Sequence, residues 1–157
     1  MALPLANNAA GGSDETLVTT GNSGGASGDA WDAIQGGGTL DIRFDDALAI
    51  APSTLSYRLT QPSPRIVQGL RWNSTSLGAG ITEIWGRVYH WRSAHTTDSD
   101  QLVRINDGAG TRLAILLPGI SADQHLYVGT PVAGGQTGGA VTIAVNQWVR
   151  YEFHFIK

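Results

Sequence analysis

The stretch Ile81–Ser93 reads I-T-E-I-W-G-R-V-Y-H-W-R-S and alternates with the period of a β-strand. Successive side chains of a strand point to opposite faces. A strand here places Trp85, Arg87, Tyr89 and Trp91 on one face, with Glu83 at its end, and Ile84, Gly86, Val88 and His90 on the other. The segment Gln147–Ile156, Q-W-V-R-Y-E-F-H-F-I, has the same period. There Trp148, Arg150, Glu152 and His154 alternate with Val149, Tyr151, Phe153 and Phe155. The apolar set is the natural core face, which leaves rings mixed with Arg and Glu on the opposite one.

Period two dominates from Thr39 onward. Leu40, Ile42 and Phe44 alternate with Asp41 and Arg43, and Leu55, Tyr57 and Leu59 with Ser56 and Arg58. Further strands are expected at Arg65–Asn73, Gln101–Asn106, Thr111–Leu117, His125–Gly129 and Ala140–Val145, punctuated by Pro62, Pro64, Asp107-Gly108 and Pro118-Gly119. About ten short strands with turn residues between them predict an all-β, two-sheet antiparallel sandwich. Helix is expected at most as one turn near Asp45–Ile50. The core is expected from Ile42, Phe44, Leu70, Trp72, Val88, Ile115, Ile143, Val149, Tyr151 and Phe153.

Residues 1–38 read as a glycine-rich arm and 39–157 as the body of one domain. The arm holds strand-like pieces, Leu17–Thr20 and Ala30–Ile34, and Trp31 is expected to pin it to the body.

Composition agrees with a β protein. Charged residues are only 15% of the chain, and 21 glycines supply tight turns. The net charge is −3 and no Lys/Arg cluster exists, so a nucleic-acid partner is not expected. No cysteine is present, which excludes disulfides and thiol-ligated zinc. No basic region precedes an apolar run at the N-terminus and no segment is long and apolar enough for membrane insertion. Nine arginines stand against one lysine, Lys157. Arginine codons are mostly GC-rich, which points to a GC-rich bacterium or its virus.

Three segments, in order, carry a resemblance. They are T-T-G-N-S-G-G-A-S-G-D-A-W-D-A-I at 19–34, W-N-S-T-S-L-G with E-I-W-G-R-V-Y in 72–89, and N-Q-W-V-R-Y-E-F-H at 146–154. Together they resemble the concanavalin A-like, laminin-G-like jelly rolls of minor tail and other virion structural proteins of phages infecting actinobacteria. The resemblance implies a jelly roll and a non-enzymatic virion component, in the tail, a fibre or the head decoration, assembled in the bacterial host cytoplasm. The implied partners are other virion proteins or copies of itself. Domains of this type continue past the final strand, so pairing from another chain and an oligomeric state are also expected.

Catalysis is not expected. The glucanases of this fold class carry Glu and Asp alternating on one strand. Here Glu15, Glu83 and Glu152 have no such neighbour, and there is no G-x-S-x-G elbow. His90, His95, His125 and His154 form no ligand spacing. No cofactor is expected. Asp98 and Asp100 are the calcium candidates, with Asp45-Asp46 a second acidic loop, but turn and capping roles suit these residues better. The candidate ligand or interface face is Trp85, Arg87, Tyr89, Trp91, Trp148, Arg150 and Glu152. It suits a protein interface or a cell-surface glycan. The alternatives are that the N-terminal arm covers it, or that its rings are core and Arg87 pairs with Glu152. A carbohydrate-binding module is the rival reading of the whole chain.

Overall fold

The computed structural model describes residues 5–36, 41–60, 68–77, 80–94, 102–107, 109, 112–118, 125–129 and 136–157. Within these the chain is all-β and antiparallel. Strands are β1 (Ala33–Gly36), β2 (Ile42–Asp45), β3 (Ser56–Leu59), β4 (Gln68–Arg71), β5 (Glu83–His90), β6 (Val103–Asn106), β7 (Arg112–Pro118), β8 (His125–Gly129), β9 (Gln136–Thr142) and β10 (Val149–Ile156). Among the described residues helix is confined to α1 (Ser74–Leu77) and one 3-10 turn, Gly25–Ser27. The expected helical turn near Asp45–Ile50 is an ordinary turn, because the Asp45 carboxylate accepts the Ala47 N–H at 2.8 Å and stops the backbone there.

The chain divides into two compact units, Met1–Ile81 and Thr82–Lys157, each with its own core. The glycine-rich arm therefore shares a unit with residues 39–81. In this first unit β1 pairs with β4 and β2 with β3. Ile42 and Phe44 alternate inward and are almost completely buried, against Ala9, Val18 and Leu55, with Ile34, Tyr57 and Leu70 packed around them. Residues 15–18 lie along the free edge of β2. Glu15 N–H bonds the Phe44 carbonyl at 2.9 Å, Phe44 N–H the Thr16 carbonyl at 3.0 Å and Val18 N–H the Ile42 carbonyl at 2.9 Å. The strand expected at Leu17–Thr20 is thus reduced to an edge cover with one bridge, Leu17 to Arg43. Gly12 lies flat against Phe44, whose ring occupies the space a Cβ would need.

Polar groups hold the arm in place. Asn7 donates to the Ser23 carbonyl at 2.6 Å and the Asp29 carbonyl at 2.9 Å, and its Oδ1 accepts from Ala9 N–H and from Tyr57 Oη at 2.6 Å. Trp31 stacks on Trp72 at 4.1 Å and meets Tyr57 edge-on, so it does pin the arm. Asp32 accepts from Asn73 N–H at 2.7 Å and Ser76 Oγ at 2.8 Å, capping α1 from a distant part of the chain. Arg43 and Arg58 lie directly opposite in the β2–β3 register, a repulsive arrangement by itself. Carboxylates offset it: Asp41 takes Arg43 at 2.6 Å, while Glu15 and Asp45 take Arg58 at 2.6 and 2.7 Å.

In the second unit β5 pairs with β10, and β6-β7-β8-β9 form a four-stranded meander. Ile143 and Tyr151 are buried, with Val88, Leu102, Val103 and Val149 packed against them. Of the expected core, Ile42, Phe44, Ile143 and Tyr151 are buried, and Leu70, Trp72, Val88, Val149 and Phe153 are half-buried. The Ile115 side chain lies outside the described ones. The strand expected from Ala140 starts earlier, at Gln136, because the register against β8 pairs Thr137 with Val128 and Gly138 with Tyr127. Pairing across the ladder holds glycines in a strand that they would not favour alone.

Candidate functional site

The ladder of β5 and β10 runs over eight residue pairs, from Val149 opposite His90 to Ile156 opposite Glu83. Its inner face carries Ile84, Gly86, Val88 and His90 against Phe155, Phe153, Tyr151 and Val149. The Phe153 ring lies over Gly86, where a side chain would otherwise stand. A glycine inside a strand is ordinarily a loss, but here the missing side chain is replaced by a cross-strand aromatic.

The outer face is a two-column array. Its rows are Glu83 with Ile156, Trp85 with His154, Arg87 with Glu152, and Tyr89 with Arg150. Trp85 is 72% exposed, Ile156 68% and Tyr89 41%. The indole of Trp85 and the imidazole of His154 stack at 3.6 Å between centroids and 10° between planes. One Glu83 oxygen, Oε1, meets both rings: Trp85 Nε1–H donates to it at 3.1 Å and His154 Nε2 lies 2.8 Å away. These two hydrogen bonds, His154 first, hold the Glu83 carboxyl below the ordinary carboxylate range. Arg87 reaches Glu152 Oε1 through Nε at 2.9 Å and through a terminal nitrogen at 2.7 Å, and that contact raises its own pKa. Arg150 stands 3.9 Å from the same oxygen, a loose contact that leaves its donors open to a ligand.

Trp85, Arg87, Tyr89, Arg150 and Glu152 therefore share one face, as their spacing implied. Arg87 does pair with Glu152, yet the rings are exposed rather than core. Trp91 and Trp148 do not join them. The ladder closes at His90 and Val149, and both tryptophans fall just beyond it, half-buried. Asn146 turns the chain there with a left-handed φ of 56°, its N–H bonded to the Arg92 carbonyl at 2.8 Å. His154 is the addition; its outward parity was legible, but only the fold shows it beneath Trp85.

The fold also brings Glu83 and Glu152 onto one face from different strands, a pairing no single-strand motif could reveal. Four residue steps and one strand spacing put their Cα atoms roughly 14 Å apart. Glu83 does not suit the role of a protonated acid. Glu83 is held ionised by its donors, and Glu152 is engaged by Arg87. Asp98 and Asp100 lie outside the described residues. The acidic loop Asp45-Asp46 instead meets Asp14, with carboxylate oxygens within 4.8 Å of one another. Arg58 pairs with Asp45 at 2.7 Å, and the Asp46 backbone N–H donates to Asp14 Oδ1 at 3.1 Å. Among the described residues no helix is long and apolar enough to cross a membrane.

Comparison with protein-family models, with curated proteins and with solved structures gives no match for this chain.

Proposed function

We propose that this protein is a non-catalytic jelly-roll component of a bacteriophage virion, structural and adhesive, which makes its contact through the outer face of β5 and β10. The observation that carries the contact is Trp85, a large aromatic left 72% exposed and yet held in one orientation by two neighbours. Exposed aromatics beside Arg are the usual anchors of recognition surfaces. Support for the virion comes from the three ordered segments at 19–34, 72–89 and 146–154, and from the arginine-rich, lysine-poor basic set. Lack of turnover rests on the engaged state of Glu83 and Glu152. Mass spectrometry of particles purified from the phage that encodes the chain tests the assignment. Stoichiometric presence in washed particles is expected, and absence would overturn it.

A second reading, a module that binds cell-surface glycan, is favoured by the size of the face. Eight residues at about 3.4 Å and a width of about 10 Å give roughly 270 Å². A stable protein partner needs about 800 Å² on each side. The ribbon therefore fits an oligosaccharide laid along it, with Trp85 stacking on a sugar ring and Arg150 and Glu152 bonding hydroxyls. Saturable binding of cell-wall polysaccharide, lost in Trp85→Ala, would establish this reading; no binding would exclude it and leave a protein contact.

A further inference from the structure

We propose that His154 makes the Trp85 platform pH-sensitive, so that protonating the imidazole locks the indole in place and tightens glycan binding on the outer face of β5 and β10. The inference rests on the glycan reading of that face. Trp85 lacks a packed shell, so its orientation depends on two contacts: the stack on His154 and the hydrogen bond to Glu83. Both involve the same Glu83 oxygen or the ring bound to it.

The geometry fixes which atom takes up the proton. An ionised carboxylate only accepts hydrogen bonds, so the 2.8 Å contact assigns the N–H of the neutral imidazole to Nε2. Nδ1 is then the atom that gains a proton. Its protonation breaks neither hydrogen bond to Glu83. It places a cation against the indole face, where the ring quadrupole attracts it, and turns the contact with Glu83 into an ion pair. A single proton thus strengthens the stack that holds Trp85 and fastens the ring beneath it to Glu83. The His154 side chain is 31% exposed, so solvent reaches it.

The other charges on the ribbon do not oppose this. On β5 these are Glu83 and Arg87; on β10, Arg150 and Glu152; and Lys157 follows the strand. Arg87 and Glu152 offset one another at 2.7 Å, and Arg150 lies two rows from His154. Glu83 remains the dominant neighbour, and its lowered pKa keeps it ionised across the range in which imidazoles titrate. His90, also on β5, faces the other side.

The test has two readouts. The first is the indole N–H resonance of Trp85 in the free protein, assigned with Trp85→Ala and followed from about pH 5 to pH 8. The second is the affinity for soluble cell-wall polysaccharide from an actinobacterium at both ends of that range. The resonance is expected to move through one titration and to stay flat in His154→Gln. Binding is expected to be roughly two- to fivefold tighter at the acid end. That gain should vanish in His154→Gln, fall in Glu83→Gln and survive in Lys157→Ala, with melting curves confirming that each variant folds. A flat resonance, or one that titrates equally in His154→Gln, overturns the inference while binding itself persists. A titrating resonance in a protein that binds no polysaccharide at either pH overturns the glycan reading on which the inference rests.

Discussion

Replacing Gly86 with alanine probes the packing that fixes which face of β5 and β10 looks outward. A methyl group at this position would overlap the Phe153 ring directly opposite in the register. The ring must then rotate out of its place on the inner face. Overpacking of this kind costs about 1–3 kcal/mol. Alanine recovers roughly 0.5–1 kcal/mol, because glycine is the poorer strand residue. The net expectation is a loss of about 0.5–2 kcal/mol for Gly86→Ala. Phe153 is half-buried, so Phe153→Ala should cost about 2 kcal/mol, near half the value for a fully buried phenylalanine. In that background the clash is gone, and Gly86→Ala should become neutral or stabilising by up to about 1 kcal/mol. Urea denaturation of the four proteins closes a double-mutant cycle, with an expected coupling of about 1–3 kcal/mol. Simple additivity would mean that Phe153 does not cover Gly86 and that the assignment of faces is wrong.

Gly12→Ala should cost about 1–3 kcal/mol by the same mechanism, because it displaces Phe44, the most deeply buried ring; an unchanged denaturation midpoint would contradict the packing of the arm on the first core. Tyr57→Phe should cost about 0.5–1.5 kcal/mol through loss of the hydrogen bond to Asn7, and Asn7→Ala should add little to that variant if the two act as one unit. Glu15, Asp41 and Glu83 are held below the ordinary carboxylate range by Arg58, Arg43 and His154, and Asp32 by the backbone N–H of Asn73. A folded-state pKa below the unfolded one adds stability that is complete above the ordinary carboxylate range and is lost as pH falls through the folded value. The melting midpoint should therefore drop between about pH 5 and pH 2, and a midpoint that rises over this range would reverse the assigned sign.

The outer face was legible in the sequence because period two leaves little freedom. Once Val149, Tyr151 and Phe153 turn inward, Arg150 and Glu152 must turn outward. Cross-strand facts were not legible. That Glu83 and Glu152 share a face, and that His154 lies under Trp85, follow from the register between strands about sixty residues apart, which no local pattern encodes. Strand ends failed for a related reason. Trp91 and Trp148 continue the alternation, but a left-handed Asn146 ends the pairing one residue short of each. The glycine-rich arm was legible in part. Trp31 pins it as expected, but much of its order comes from a few polar groups, Asn7, Ser23, Ser27 and Asp32, buried or bonded to segments far along the chain. Hydrophobic periodicity carries no information about such contacts.

The proposed contact with a cell surface runs through Trp85 on the outer face of β5 and β10. Its most direct test is the binding of purified, labelled protein to actinobacterial cell envelopes, comparing wild type with Trp85→Ala. Stacking would remove about 100 Å² of the open indole face from water, worth about 2.5 kcal/mol at ~25 cal/mol per Å². Saturable binding by the wild type is expected, weakened about seventyfold in Trp85→Ala with an unchanged melting midpoint. Equal binding by the two proteins would contradict the claim.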